Sequence, residues 1–330
     1  MRSTDLDHSG PRIRVIGCGG AGTNSVHRLA SSGIRGVRTV AVNTDREHLW
    51  RTTCDQRVLL GDGAVRGTGG RPEIGARLAQ HDERDVRAAA SGGDLTFIIA
   101  GLGGGTGTGV APIVANWARQ SGAIAVGLAT MPFRAEVHRQ EAAVRGAEAL
   151  RAACNSLVML ENDRLLERVP DLPVEQAFAV MDHMVGEVIR GLVDAVNERS
   201  LIQLDFPDLT EVLRDGGVST ILFGEGDVYA PDTVVASALK NALLDADLRA
   251  AKGAVIQITT EPNVSLRAVD AVLEGLRKEF RRDARVAFGV RTNQEFAGSL
   301  RVMAVVTGVA SRLLPPAVAA ESDFGMSIVR

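Results

Sequence analysis

Lysine is almost absent from this chain of 330 residues. Its 37 basic residues include three lysines, Lys240, Lys252 and Lys278, which leaves 34 arginines. No lysine precedes residue 240, so the phosphate loop of pattern GxxxxGK[ST] is excluded. Aromatic residues make up 4% of the chain, and the core has to be aliphatic. Cysteine is scarce too. Cys18, Cys54 and Cys154 are odd in number and far apart, with neither a disulfide framework nor a metal-ligand spacing. That usage points to the cytoplasm. There is no apolar run of the ~18 residues a membrane-spanning helix needs, so no direct membrane insertion is expected. Residues 1–14 are polar and charged, unlike a signal peptide. Neither sign of charge dominates. The net charge of −3 lacks the basic footprint of a nucleic-acid partner. His27, His48, His81, His138 and His183 are scattered and define no metal site.

What is present has the profile of a globular protein, 45% hydrophobic and 23% charged. At ~100–200 residues per domain, the length suggests about two domains. Residues 1–11 are polar, contain Gly10 and Pro11, and read as a disordered lead. Residues 12–16, 37–42, 57–60, 95–100, 123–130 and 156–160 read as strands. Residues 24–32, 83–91, 110–121 and 139–153 read as helices. The run 95–100 is continuously apolar, as in a strand buried on both faces. This alternation predicts an α/β fold, a doubly wound parallel sheet over 12–173. A long helical pattern from 174 to about 198 follows and opens a connecting segment, 174–216. Strands at 253–259, 285–291 and 299–307, with a helix at 266–282, predict a smaller α+β domain over 217–311. Residues 312–330 form a short tail.

Two glycine segments carry chemistry. Gly17-Cys18-Gly19-Gly20-Ala21-Gly22 satisfies GxGxxG after a strand, and Asp45 lies 23 residues beyond Gly22. Glycines there let backbone N–H groups approach phosphate, and Asp45 sits where a dinucleotide fold holds a ribose. Alone, this segment points to an NAD enzyme. The second segment is more specific. Gly101 to Gly109 reads GLGGGTGTG between a buried strand and a helix. Consecutive glycines expose several N–H groups as an anion nest, and Thr106 and Thr108 add hydroxyls. The helix from about Val110 brings its positive end.

Gly103 to Gly109, GGGTGTG, is the signature of tubulin and FtsZ, and the chain resembles the FtsZ family from about Arg12 to about Val309. GCGGAGTN at 17–24, AVNTD at 41–45, PF at 132–133, NDRLL at 162–166 and LDFPDL at 204–209 occur in the family's order. The resemblance implies the tubulin/FtsZ fold: a GTP-binding domain, a long central helix and a C-terminal domain. It implies a GTPase, with GTP or GDP and Mg²⁺ as cofactors. It also implies head-to-tail homopolymers, cell division, and a place at the division site. By resemblance, Gly19, Gly20, Ala21, Gly22, Thr23 and Asn24 cradle the phosphates with Gly104, Gly105, Thr106, Gly107 and Thr108. Thr44 and Asp45 lie near the γ-phosphate and Mg²⁺, as does the loop containing Gly70. Glu136 holds the ribose, Asn162 lies near guanine and sugar, and Phe178 and Asp182 belong to the guanine site. Asp205 and Asp208, with Gln203 beside them, belong to a loop that enters the next subunit's GTP site and drives hydrolysis.

The chain departs from the family pattern in four places. Residues 67–73, GTGGRPE, form a loop about two residues shorter than usual, and Arg71 replaces an asparagine, facing either phosphate or solvent. The stretch 135–140, AEVHRQ, is about one residue short, which leaves Arg139 or Gln140 for the family arginine's role. Gln203 replaces an asparagine, and Pro207 an alanine. A shift of ~1 Å at such a position can cost ~100-fold in rate. An alternative reading is therefore a filament-forming or regulatory paralogue that binds GTP and hydrolyses it slowly. Finally, the usual long linker is missing. Residues 323–330, DFGMSIVR, resemble a minimal adaptor-binding peptide, which implies a division-machinery adaptor as partner.

Overall fold

The computed structural model describes residues 10–61, 67–167, 173–197 and 200–314. The N-terminal lead up to residue 9 and the adaptor-like tail at 323–330 lie outside the described residues.

The first half alternates strand and helix. β1 (Ile13–Cys18) leads to α1 (Gly19–Ser31), β2 (Val37–Asn43), the short α2 (Arg46–Arg51) and β3 (Gln56–Leu59). Then come α3 (Pro72–His81), α4 (Glu83–Ala90), β4 (Leu95–Gly101), α5 (Gly105–Gln120) and β5 (Ile124–Met131). α6 (Val137–Ala153), β6 (Ser156–Glu161), α7 (Asn162–Leu166) and the long α8 (Val174–Asn197) complete it. The second half holds α9 (Phe206–Arg214), β7 (Gly217–Asp227), α10 (Pro231–Lys240) and β8 (Ala246–Asp247). It closes with β9 (Gly253–Thr260), α11 (Leu266–Arg277), β10 (Arg285–Thr292), β11 (Ser299–Thr307) and β12 (Ala310–Ser311).

Ten strands share one sheet in the order β10-β9-β11-β7-β6-β5-β4-β1-β2-β3. It is parallel except at β11, which runs antiparallel to both β7 and β9. The two halves join where β6 pairs with β7, through Ser156↔Gly217, Leu157↔Val218 and Val158↔Ser219. β4 is buried along residues 95–100 and is flanked by β1 and β5, which explains its unbroken apolar run.

One face of the sheet is covered by α3, α4, α5 and α6, and further along by α10 and α11, through Val86, Val110, Leu150, Val234 and Leu276. The other face carries α1, α8 and α9, through Leu29, Ile189, Leu192 and Leu213. α8 packs against α1 and also reaches β9 and β10, so one helix lies beneath both halves. Burying each of these aliphatic side chains stabilises the fold by about 1.5–3 kcal/mol.

The structure corrects several boundaries. α1 begins at Gly19 and α5 at Gly105, five residues before the helices expected at 24 and 110. The glycines form the first helical turns instead of preceding them. α11 ends at Arg277, short of 282. β7, α3, α9 and α10 are additional elements. β7 ends in Gly224-Glu225-Gly226-Asp227, which hides its strand character. A Cβ at Gly224 would come within 2.4 Å of the Val234 carbonyl, so that glycine lets α10 lie directly on β7.

Candidate functional site

β1 and β4 are neighbours, so their C-terminal ends deliver the N-termini of α1 and α5 to one place. The residues preceding these helices, Cys18 and Gly104, make no side-chain cap hydrogen bond. First-turn N–H groups at both ends thus remain for an external acceptor, where the helix dipoles favour negative charge. A cavity of about 420 Å³ opens there. Gly20, Ala21 and Asn24 line it from α1, and Gly104, Gly105, Thr106 and Gly107 from the second glycine segment. Thr68, Gly69 and Gly70 close it on one side, and Pro132, Glu136 and Arg139 on another. Asn162, Phe178, Met181 and Asp182 line the far end. A Cβ at Gly105 would stand 1.9 Å from Thr68 Oγ1, whereas one at Gly104 meets nothing within 4 Å. Gly105 is therefore required by packing, and Gly104 borders open space.

Six of the expected residues build the walls without lining the cavity. Gly19 has φ of +70°, and a Cβ there would lie 2.5 Å from the Gly107 nitrogen, so α1 and α5 meet backbone to backbone. Gly22 fits against the Ile99 carbonyl, 2.3 Å from where its Cβ would stand. Thr23 donates its hydroxyl back to the Gly19 carbonyl at 2.8 Å. Thr108 Oγ1 accepts from the Gly103 N–H at 3.0 Å. Thr44 Oγ1 meets Thr106 Oγ1 at 2.8 Å, which ties the turn after β2 to the glycine segment. Asp45 caps α2 by accepting from the His48 N–H at 3.0 Å.

Asn162 and Asp182 bring polar groups to the far end, beside the apolar Phe178 and Met181. Asp182, on α8, accepts from Ser25 Oγ at 2.6 Å and from Arg28 Nε at 3.3 Å. Burial raises the Asp182 carboxyl above the ordinary carboxylate range, and Ser25 and Arg28 oppose that shift. Asn162 is 5% exposed, and its Oδ1 has no hydrogen-bond partner. A buried unpaired acceptor costs about 1–3 kcal/mol, so it marks a place where a donor is missing. Phe178, 43% exposed at the rim, meets Phe133 edge to face with centroids 5.4 Å apart.

Arg139 NH1 donates to Glu136 Oε2 at 2.6 Å, and both residues line the cavity. Gln140 turns away and donates to the Phe133 carbonyl at 2.7 Å. Of the two candidates at this short stretch, Arg139 is thus the one placed on the cavity. Arg71 is exposed and is not among the lining residues.

Gln203, Asp205 and Asp208 lie elsewhere. All three are exposed, and Gln203 and Asp205 border a separate cleft of about 1200 Å³ with Arg12, Arg38 and Asn197. Gln203 Nε2 donates to the Val196 carbonyl at 3.3 Å. Asp205 precedes α9 without using its side chain as a cap. The structure does not bring these groups to the cavity of their own chain.

Sequence reasoning did not single out Ser25, Arg28, Thr68, Met181 or His48 as part of the site. Ala21, Ser25 and Arg28 form a stripe along α1, which becomes visible once the helix is started at Gly19. Contacts such as Thr68 on Gly105 leave no local signal.

Comparison with known proteins agrees with this geometry. Residues 12–170 match the family model for the Tubulin/FtsZ family, GTPase domain, and residues 217–310 match that for the FtsZ family, C-terminal domain. The chain is 39% identical over 317 residues to cell division protein FtsZ 2 of Halobacterium salinarum, covering 95% of this chain and 81% of that protein. It is 41% identical over 308 residues to cell division protein FtsZ 2 of Methanocaldococcus jannaschii, covering 91% and 80%. A solved FtsZ dimer from M. jannaschii superposes with a TM-score of 0.85 at 36% identity, covering 92% of this chain and 90% of that one. Among the described residues, no helix is long and apolar enough to cross a membrane. Two glycine-built helix ends over one cavity, in a chain matched by both family models, make this protein a member of the FtsZ family with that family's GTPase domain.

Proposed function

We propose that this chain binds GTP in the 420 Å³ cavity and hydrolyses it between subunits of a head-to-tail filament that serves cell division. The observation that carries the reading is the separation of two half-sites. One surface holds a cavity of backbone N–H groups, and a different, exposed surface holds Asp205 and Asp208. Such a contact is heterologous and generates open filaments. The relatives' names supply the process, cell division; a place at the division site is part of the same proposal.

Each residue then has a task. N–H groups at the starts of α1 and α5 receive the phosphates. The Asp182 carboxylate accepts from guanine N1–H and N2–H, which adenine does not offer together. The unpaired Asn162 Oδ1 takes a further donor from base or sugar. Glu136, fixed by Arg139, faces the ribose, and Phe178 covers the base. Asp205 and Asp208 of the next copy orient the attacking water, because phosphoryl transfer depends mainly on positioning and charge. Among the described residues, no three acidic, histidine or cysteine groups gather to hold a metal. A site of that kind fits Mg²⁺ held chiefly by nucleotide phosphates, where it would offset their charge. In this reading, residues 12–173 are the nucleotide unit, 217–311 the activating unit and 174–216 the link. The tail at 323–330 is the segment for a division adaptor.

The second reading, a filament protein that hydrolyses GTP slowly, is favoured by Gln203. Its amide is engaged with Val196 of its own chain. Phosphate release measured against protein concentration, with light scattering on the same samples, separates the two. A rate that switches on above a critical concentration, together with GTP-dependent scattering, supports the intersubunit GTPase. Scattering without release supports the slow paralogue. Absence of both, despite tight GTP binding, overturns the filament reading.

A further inference from the structure

His48 lies on α2, outside the cavity, and joins the turn after β2 to Asn24, which lines it. Asn43 Oδ1 accepts from the backbone N–H groups of Thr44 at 2.8 Å and Asp45 at 3.3 Å. Backbone N–H groups only donate, so the orientation of the Asn43 amide is set, with Nδ2 toward His48. Asn43 Nδ2 lies 3.2 Å from His48 Nδ1 and must donate to it. Nδ1 is therefore the bare nitrogen of a neutral imidazole, and the proton is on Nε2. His48 Nε2 lies 2.7 Å from Asn24 Oδ1 and donates to it. Each bond fixes the direction of the next, from the turn at Thr44 to the amide of Asn24. The outcome is that Asn24 Oδ1 is occupied and its Nδ2, without a partner among the described residues, is left for the cavity Asn24 lines. The next residue, Ser25, holds Asp182. Asn24 and Asp182 both line this cavity, the first offering a donor in Nδ2 and the second an acceptor in its carboxylate.

We propose that His48 is a positioning residue for nucleobase recognition. It orients the Asn24 amide as a donor and makes that orientation depend on the Asn43–Asp45 turn, which touches the phosphate segment through Thr44 and Thr106. The inference rests on the reading of the cavity as a GTP site. Without His48, the Asn24 amide rotates freely and presents oxygen as readily as nitrogen. The oriented hydrogen bond to the base is then diluted, and nucleotide affinity falls by roughly five- to tenfold. Glutamine at this position keeps one amide donor and one carbonyl acceptor. Alanine keeps neither.

The test is the dissociation constant of a fluorescent GTP derivative, measured with wild type, His48→Ala, His48→Gln, Asn24→Ala and the double variant His48→Ala/Asn24→Ala. The expected result is a loss of about five- to tenfold in His48→Ala, most of it recovered in His48→Gln. The double variant should bind no more weakly than Asn24→Ala, because His48 acts only through Asn24. Equal affinity in wild type and His48→Ala overturns the role of His48 alone. So do losses that add fully in the double variant. A wild-type chain with no saturable GTP binding overturns the nucleotide reading and this one with it.

Discussion

Ser25 and Asp182 are 157 residues apart and meet at 2.6 Å, where the hydroxyl from α1 donates to a carboxylate on α8. Asp182 is held in place before any ligand arrives, although burial works against its charge. That opposition gives the first prediction. A raised carboxyl pKa means the folded, nucleotide-free chain holds the proton more tightly than the unfolded chain. Its stability therefore falls as pH rises from the ordinary carboxylate range through the raised folded value, and the ionised form costs stability at neutral pH. Asp182→Asn is expected to raise the nucleotide-free Tm by about 1–2 °C at pH 7. The same change should weaken GTP binding by at least ~tenfold, since a charged acceptor facing two donors is lost. Differential scanning fluorimetry and a binding titration check the two halves. GTP affinity of the wild type should also decline on acidification as Asp182 takes up its proton.

Gly104 and Gly105 are expected to differ sharply despite being adjacent. A methyl at Gly104 enters open space, so Gly104→Ala should leave the nucleotide-free Tm within about 1 °C, yet it intrudes where phosphate is placed. Gly105→Ala drives Cβ to 1.9 Å from Thr68 Oγ1 and 2.7 Å from the Arg71 nitrogen, and should destabilise by about 1–3 kcal/mol. Thermal unfolding with and without GTP distinguishes a lost ligand from a damaged fold.

Asp205 is exposed and caps nothing, so Asp205→Ala should change stability by less than about 0.5 kcal/mol. GTP binding should persist while phosphate release falls by ~10²–10³-fold, the scale for removing one preorganised electrostatic group. Mixing Asp205→Ala with Gly104→Ala should restore turnover. One variant offers an intact nucleotide site and the other an intact acidic loop. A mixture as inactive as its parts would show that both half-sites act within one chain.

Thiol reactivity gives a fourth check. Burial pushes Cys154 up to about 12, and Cys18 still higher, while Cys54 is half-buried and raised less. A thiol reagent at pH 8 should therefore label the folded chain at Cys54 alone, and all three cysteines after denaturation, because the thiolate is the reacting form. Mass spectrometry of the labelled protein reads this directly.

The parallel sheet and the glycine segments were legible because their signals are local. The run 95–100 is apolar throughout, and GGGTGTG has no common alternative use. The starts of α1 and α5 were not legible, since glycine ordinarily argues against helix and here occupies the first turns. The reason lies in tertiary contact, as with Gly105 on Thr68 and Gly19 on Gly107. The partners of Asp182 were likewise hidden. Ser25 and Arg28 face it only because α8 packs along α1. β7 was missed because its glycines serve the approach of α10.

The absence of lysine before residue 240 has a chemical consequence at the phosphate end. An ammonium grip titrates, and it can be acylated, carbamylated or otherwise masked. Main-chain N–H groups do none of these. On the proposed reading, phosphate is gripped by N–H groups of the turns at Gly19 and Gly104–Gly107, which acetyl donors and cyanate leave unmodified. Acylation of Lys240, Lys252 and Lys278, all in the second half of the chain, is therefore expected to leave those N–H donors unaltered.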